Sequence, residues 1–109
     1  MADVGFPFHL TITFSGSAEA LPETVPGGGR IRSMMLHVDP ANLSVVYIGG
    51  KNRALTSSDW GVRLPAPVAG EPCAPFPIGN FQDGSVSIQG HYVLGAVGEK
   101  VHLFGHAYL

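Results

Sequence analysis

An all-β domain is the fold this sequence predicts: a small antiparallel β-sandwich or jelly-roll-like barrel. Three observations predict it. Phe6, Phe8, Leu10, Ile12 and Phe14 alternate with Pro7, His9, Thr11 and Thr13, the period of two that gives a strand one buried and one wet face. Asp39-Pro40-Ala41-Asn42 precedes the β-branched and aromatic run Leu43 to Ile48, which Gly49 and Gly50 close. Pro40 presets φ for a type I turn opened by Asp39 and closed by Asn42, and the run after it reads as a buried strand. The connections are rich in Gly and Pro, and no long segment has helical periodicity.

The elements follow in order. Phe6 to Phe14 is the first strand. Ser15 to Gly29 is small, polar and turn-forming, ends in Pro26-Gly27-Gly28-Gly29, and reads as a loop with one helical turn near Ala18 to Leu21. Arg30 to Val38 is a second strand, with Met34, Leu36 and Val38 on one face and Ile31 and Met35 on the other. Leu43 to Ile48 is the third. Lys51 to Pro77 is irregular and contains Pro65, Pro67, Pro72, Pro75 and Pro77; each proline removes a ladder donor, which excludes a central strand. A short extended piece fits at Gly61 to Leu64. β-structure resumes at Ile78 to Phe81, Ser85 to Gln89 and His91 to Leu94. The last hairpin runs from Tyr92-Val93-Leu94 through Gly95 to Glu99 into Lys100 to Tyr108, with Gly98 supplying the left-handed conformation of its short loop.

Size and composition narrow the class. The 109 residues make one domain, residues 1–109, able to bury most of the surface its unfolded chain exposes. Apolar residues are 45% and charged residues 13% of the chain, against roughly 25% charged in typical soluble domains. So sparse a charge suits an all-β protein that covers much of its surface with partners. Net charge is −2 and the six Lys and Arg residues are scattered, so no basic stripe exists for nucleic acid. Cys73 is the only cysteine, which excludes an intrachain disulfide and fits a reducing compartment. Met1 to Val4 lacks a basic n-region, so a signal peptide is not expected. No run approaches the ~18 apolar residues of a membrane helix.

Chemical motifs are sparse. His102 and His106 are the best-spaced histidine pair, but on a strand residues four apart lie about 13 Å from each other at roughly 3.3 Å per residue; His9, His37 and His91 have no spaced partner, and no metal site is expected. Gly27-Gly28-Gly29-Arg30 lacks the Lys-Ser/Thr of a phosphate loop and precedes a strand. Ser57 and Ser58 lie outside any nucleophile elbow, and Asp59 and Asp83 read as turn residues. The expectation is no enzyme, no catalytic residue and no cofactor. Candidate protein-contact residues are Trp60 on its loop, nearby Arg63, Phe76 between two prolines, and Phe8 on the N-terminal strand; Trp and Arg are over-represented where interfaces concentrate their binding energy. The other reading of Trp60 and of Phe76 is a plug at one end of the sandwich.

The segments His37 to Gly50, Leu55 to Pro67 and Tyr92 to Phe104 together resemble a group of small tailed-bacteriophage virion proteins. Such sequences carry an "ADPAN…VVYVGG"-like turn and strand, a Gly/Pro-containing loop, and a closing "YVxGxxGDxVxxL"-like hairpin. Here the hairpin reads Tyr92-Val93-Leu94-Gly95-Ala96-Val97-Gly98-Glu99-Lys100-Val101-His102-Leu103. The resemblance spans most of residues 30–105 and rests on structural punctuation, not on catalytic motifs. Phe104, His106, Tyr108 and the Ser15 to Gly29 loop fall outside the pattern.

What the resemblance implies is a small β-sandwich structural component of a phage virion, made in the host cytoplasm, without saying which position in the particle it takes. The reading adopted for that position is a decoration or cement protein bound between major capsid subunits. Its implied partners are the major capsid protein or other virion proteins, and copies of itself, by analogy a trimer; neither nucleic acid nor a membrane is expected as a partner. The low-charge surface and the Lys51 to Pro77 loop are expected to touch neighbours, and residues 1–14 could form an arm that adds to a neighbour's sheet edge. Two other readings stay open: a head–tail connector or tail component, and a carbohydrate-binding module that stacks sugars on Trp60, Tyr47 or Tyr92.

Overall fold

A computed structural model of the chain describes residues 5–69, 71, 74–79 and 90–108. Among these, eight strands form two antiparallel four-stranded sheets, so the fold is an all-β sandwich. The first sheet has β1 (Gly5–Thr13), β8 (Lys100–Tyr108), β3 (Arg30–Val38) and β6 (Phe76–Gly79), in that spatial order. The second has β2 (Glu19–Ala20), β7 (His91–Leu94), β4 (Val46–Gly50) and β5 (Val62–Leu64). The expected strand Ser85 to Gln89, with Phe81, Cys73 and Asp83, lies outside the described residues.

The alternation in β1 does what period two requires. Phe8 is buried, and Phe6, Leu10 and Ile12 pack against the same core. β1 pairs with β8 over nine residues without a slip, from Gly5 opposite Tyr108 to Thr13 opposite Lys100. From Gly5 onward the segment is therefore the first strand expected from its alternation, paired within its own chain's sheet, where the alternative was an arm.

Three expectations change. First, β3 carries a bulge: Ile31 faces Ala107 and Ser33 faces His106, leaving Arg32 as the extra residue. The extra residue flips the alternation, so Ile31 joins Met34, Leu36 and Val38 in the core instead of facing away with Met35. Second, Ser15 to Gly29 holds no helical turn. Glu19 and Ala20 pair with β7, and Leu21 and Val25 drop into the core, so this stretch crosses from one sheet to the other and back. Third, the strand expected at Leu43 begins at Val46, and Leu43 is 87% exposed. The N–H groups of Leu43 and Ser44 donate to the Glu99 carboxylate at 2.7 and 3.1 Å, so they are spent on a side chain rather than a ladder. The strand also runs through Gly49 and Gly50, which pair with Tyr92 and His91.

The punctuation elsewhere holds. Asn42 N–H donates to Asp39 C=O at 3.0 Å, closing the turn over Pro40. Gly98 has φ +84 in the β7–β8 loop, where Glu99 N–H reaches Ala96 C=O at 3.0 Å. Val62 to Leu64 is the extended piece expected there, pairing with β4. Pro77 lies inside β6, which among the described residues pairs with β3 alone and so tolerates a missing donor on its other side. One apolar cluster fills the space between the sheets, with Met34, Leu36, Val101 and Leu103 from the first and Val46, Ile48 and Val93 from the second.

Candidate functional site

The register of β1, β8 and β3 decides what the outer face of the first sheet displays. Because Phe8, Val101, Leu103, Met34 and Leu36 point inward, their strand neighbours point out. Three cross-strand rows result: Pro7 with His106, His9 with Phe104 and Met35, and Thr11 with His102 and His37. Pro77 of β6 extends the middle row beside Met35. Phe104 is 50% exposed and Met35 37%, and the Phe104 and His106 rings meet edge-on with centroids 6.3 Å apart. Four of the chain's five histidines thus share one face whose three rows hold no Asp, Glu, Lys or Arg. Charge returns at its margins, with Lys100 beside Thr13, the Asp39 carboxylate against His102, and Arg32 lying 4.8 Å over the Tyr108 ring.

One imidazole on this face is held from both sides. His102 Nε2 is 2.7 Å from Asp39 Oδ2, and its Nδ1 is 3.1 Å from Thr11 Oγ1. Asp39 Oδ1 accepts the Ala41 N–H at 2.8 Å. That backbone donor first, and His102 second, hold the Asp39 carboxyl below its ordinary value. Hydroxyl, imidazole and carboxylate in line are the parts of an activated nucleophile; the same contacts also tie β1, β8 and the turn after β3 together. Sequence spacing could not find this trio, because it forms only once β1 is known to pair with β8. Among the described residues, no three His, Cys, Asp or Glu side chains group so as to hold a metal ion.

The four candidate contact residues separate. Trp60 is 44% exposed on the loop before β5, and Arg63 is exposed on β5 opposite Tyr47. These two come together around Tyr47, whose ring centroid is 5.9 Å from that of Trp60. Phe76 is half-buried and packs against the core from the edge strand β6. Phe8 is 8% exposed and belongs to the core, so it offers no surface to a partner; in an alternating strand its parity with Leu10 and Ile12 carries it inward. The residues missed from the sequence are Phe104, Met35 and His102, whose signal was the outward parity of β3 and β8.

Compared with protein-family models, curated proteins and solved structures, the chain gives no match. The fold and its faces define a class: a two-sheet antiparallel β-sandwich with a histidine-rich face on one sheet and an aromatic loop over the other. No helix is long and apolar enough to cross a membrane among the described residues.

Proposed function

We propose that the chain is a structural protein of a tailed-phage virion, a decoration or cement protein that binds between major capsid subunits and acts by adhesion without turnover. The observation that carries this reading is the face built on Phe104, Met35 and the surrounding histidines, whose rows hold no Asp, Glu, Lys or Arg. Burying its three rows against another protein desolvates no Asp, Glu, Lys or Arg of those rows, and the Asp39 carboxylate at their margin already has His102 as partner. The likeness of the Asp39 to Gly50 turn and the Tyr92 to Leu103 hairpin to small virion proteins supports the same reading.

Magnitudes favour a lattice over a solitary complex. A sheet four strands wide at about 4.8 Å spacing and nine residues long at about 3.3 Å each spans at most about 19 by 30 Å. That is roughly 570 Å², below the ~800 Å² per partner of a standard stable interface. A contact of this size becomes durable when copies engage together, because linked contacts raise each other's effective concentration. Self-association into a homo-oligomer, by analogy a trimer, supplies that linkage.

Electron microscopy of purified particles tests the proposal. Density for this fold repeated over the shell, with the first sheet facing the capsid, is the expected result. Density confined to a ring at one vertex would assign a connector role instead, and absence from the particles would end the virion reading.

A further inference from the structure

The loop of residues 51–61 folds back over the outer face of the second sheet. Leu55 anchors it: the side chain is 8% exposed although it stands apart from the main core cluster. Gly49 makes room, since a Cβ there would lie 2.9 Å from Leu55 Cδ1. The loop then closes on itself, with Thr56 N–H donating to Asp59 C=O at 3.0 Å and Thr56 Oγ1 accepting the N–H groups of Ser58 and Asp59 at 3.2 and 3.0 Å. Gly61 N–H returns to Ile48 C=O at 2.9 Å, and Arg53 pairs with Asp59 at 3.0 Å. A loop bonded at this density is preorganised, so a ligand meeting it pays little ordering entropy.

This frame holds Trp60 half out of the protein, at 44% exposure, with its ring inclined 36° to that of Tyr47. Beside Trp60 is a cavity of about 230 Å³ lined by Gly49, Gly50, Asn52, Arg53, Asp59 and Trp60. Asn52 folds back toward it, with Oδ1 close enough to lie 3.2 Å from a Cβ built on Gly50. The volume is under the ~300–1,000 Å³ typical of drug-sized ligands, which suits one ring rather than an extended molecule.

We propose that Trp60, Asn52 and the Arg53–Asp59 pair form a subsite for one neutral hexopyranose ring, as a terminal sugar or a residue within a glycan. Three features point to that chemistry. The indole face takes an apolar C–H surface without demanding a hydrogen bond from it. The rim offers an amide with both donors and an acceptor, a guanidinium fork and a carboxylate, which match adjacent hydroxyls. Arg53 and Asp59 cancel in charge, so neither an anionic nor a cationic ligand gains from the site. The subsite lies on the opposite sheet from the face assigned to capsid contact, and it stands or falls independently of the virion reading.

Trp60 is the chain's single tryptophan, so its fluorescence reports the site directly. The probes are the methyl glycosides of glucose, galactose, mannose and N-acetylglucosamine and their short oligomers, titrated into the full chain, with a nucleoside and a charged sugar phosphate alongside. Expected is a saturable emission change with at least one neutral sugar. Calorimetry of the variants should then show Trp60→Ala weakening that sugar at least about tenfold and Asn52→Ala about three- to tenfold, while Asn52→Ala leaves the thermal midpoint in place. No response to any neutral sugar, a response only to the nucleoside or the sugar phosphate, or sugar binding indifferent to both substitutions would overturn the proposal.

Discussion

His102 and Asp39, 63 positions apart in the chain, meet with Nε2 and Oδ2 2.7 Å apart. The contact joins the middle of β8 to the turn that follows β3, and Asp39 simultaneously receives the Ala41 N–H. Both donors stabilise the carboxylate, so its folded pKa lies below the ordinary 3.8. A depressed carboxyl pKa stabilises the fold above the unfolded value, and the contribution fades as pH falls through the folded one. Replacing Asp39 by Asn should therefore lower the urea midpoint at about pH 7 and lower it progressively less in acid, below the unfolded value. Parallel urea titrations of both proteins across that range make the comparison; a gap that widens in acid would contradict the assignment.

Asn42 sits 4% exposed beside the start of β8. Its Nδ2 donates to Lys100 C=O at 2.7 Å and its Oδ1 accepts Lys100 N–H at 3.0 Å, so one side-chain amide stands in for a strand neighbour. Asn42→Ala leaves both groups without that partner and should cost about 1–3 kcal/mol. Asn42→Asp keeps the acceptor but turns an oxygen toward the Lys100 carbonyl, so it should rescue little. Equilibrium denaturation of the two variants decides; an Asp variant as stable as the parent would show that the donor is dispensable.

Which parts of this architecture could be read from the residues follows from whether their cause was local. The Asp39 to Asn42 turn, the alternation of β1 and the Gly98 loop are fixed by φ preferences and parity within a few residues, and each stands where expected. Three features depended on partners distant in sequence. The Arg32 bulge exists only relative to β8, and it reversed the side expected for Ile31. Leu43 and Ser44 look like strand residues until Glu99, 56 and 55 positions away, takes their N–H groups. The histidine face needed the order β1-β8-β3 before spacing within a strand meant anything. Trp60 keeps the exposed loop position that made it a candidate, whereas Phe8 is carried into the core by the parity of its strand.

Two glycines should separate steric from conformational cost. A Cβ on Gly105 would lie 2.1 Å from Ser33 O and 2.6 Å from Met34 Cα, both backbone atoms of the neighbouring strand. Neither can swing aside, so Gly105→Ala should cost about 3 kcal/mol or more by overpacking. Gly98 has φ +84 and open space around its missing Cβ, so Gly98→Ala should cost only about 1–2 kcal/mol of left-handed strain. Urea unfolding of both variants gives the order, and a Gly105 variant no worse than the Gly98 one would refute the packing argument.

Among the described residues, β1 has a strand partner on one side only. Phe14 N–H bonds to Glu99 C=O at 2.8 Å, which sets the even-numbered residues of β1 toward β8 and turns the odd-numbered N–H and C=O groups outward. Pro7 is odd-numbered, so its missing donor interrupts that outward row, a known guard against edge-to-edge pairing. Pro7→Thr should complete the row and produce concentration-dependent association with little loss of stability. Light scattering across a dilution series reads this, and an unchanged molar mass would mean that the proline guards nothing.

Phe104 is the centre of the histidine-rich face and the sharpest handle on the capsid reading. Half of its surface is already in water, so Phe104→Glu forfeits little burial and should change folding stability by no more than about 1 kcal/mol. Against a partner the same change places a carboxylate in a row that holds no Lys or Arg, and burying a charge is costly. Loss of a central aromatic anchor alone is worth about 2 kcal/mol or more, and the lattice multiplies it, so binding to particles lacking this chain should fall below detection. Co-sedimentation with such particles, run beside a urea titration, separates the two effects. Undiminished co-sedimentation of a folded Phe104→Glu variant would remove the first sheet from the interface, and the Lys51 to Pro77 segment would then be the surface to mutate.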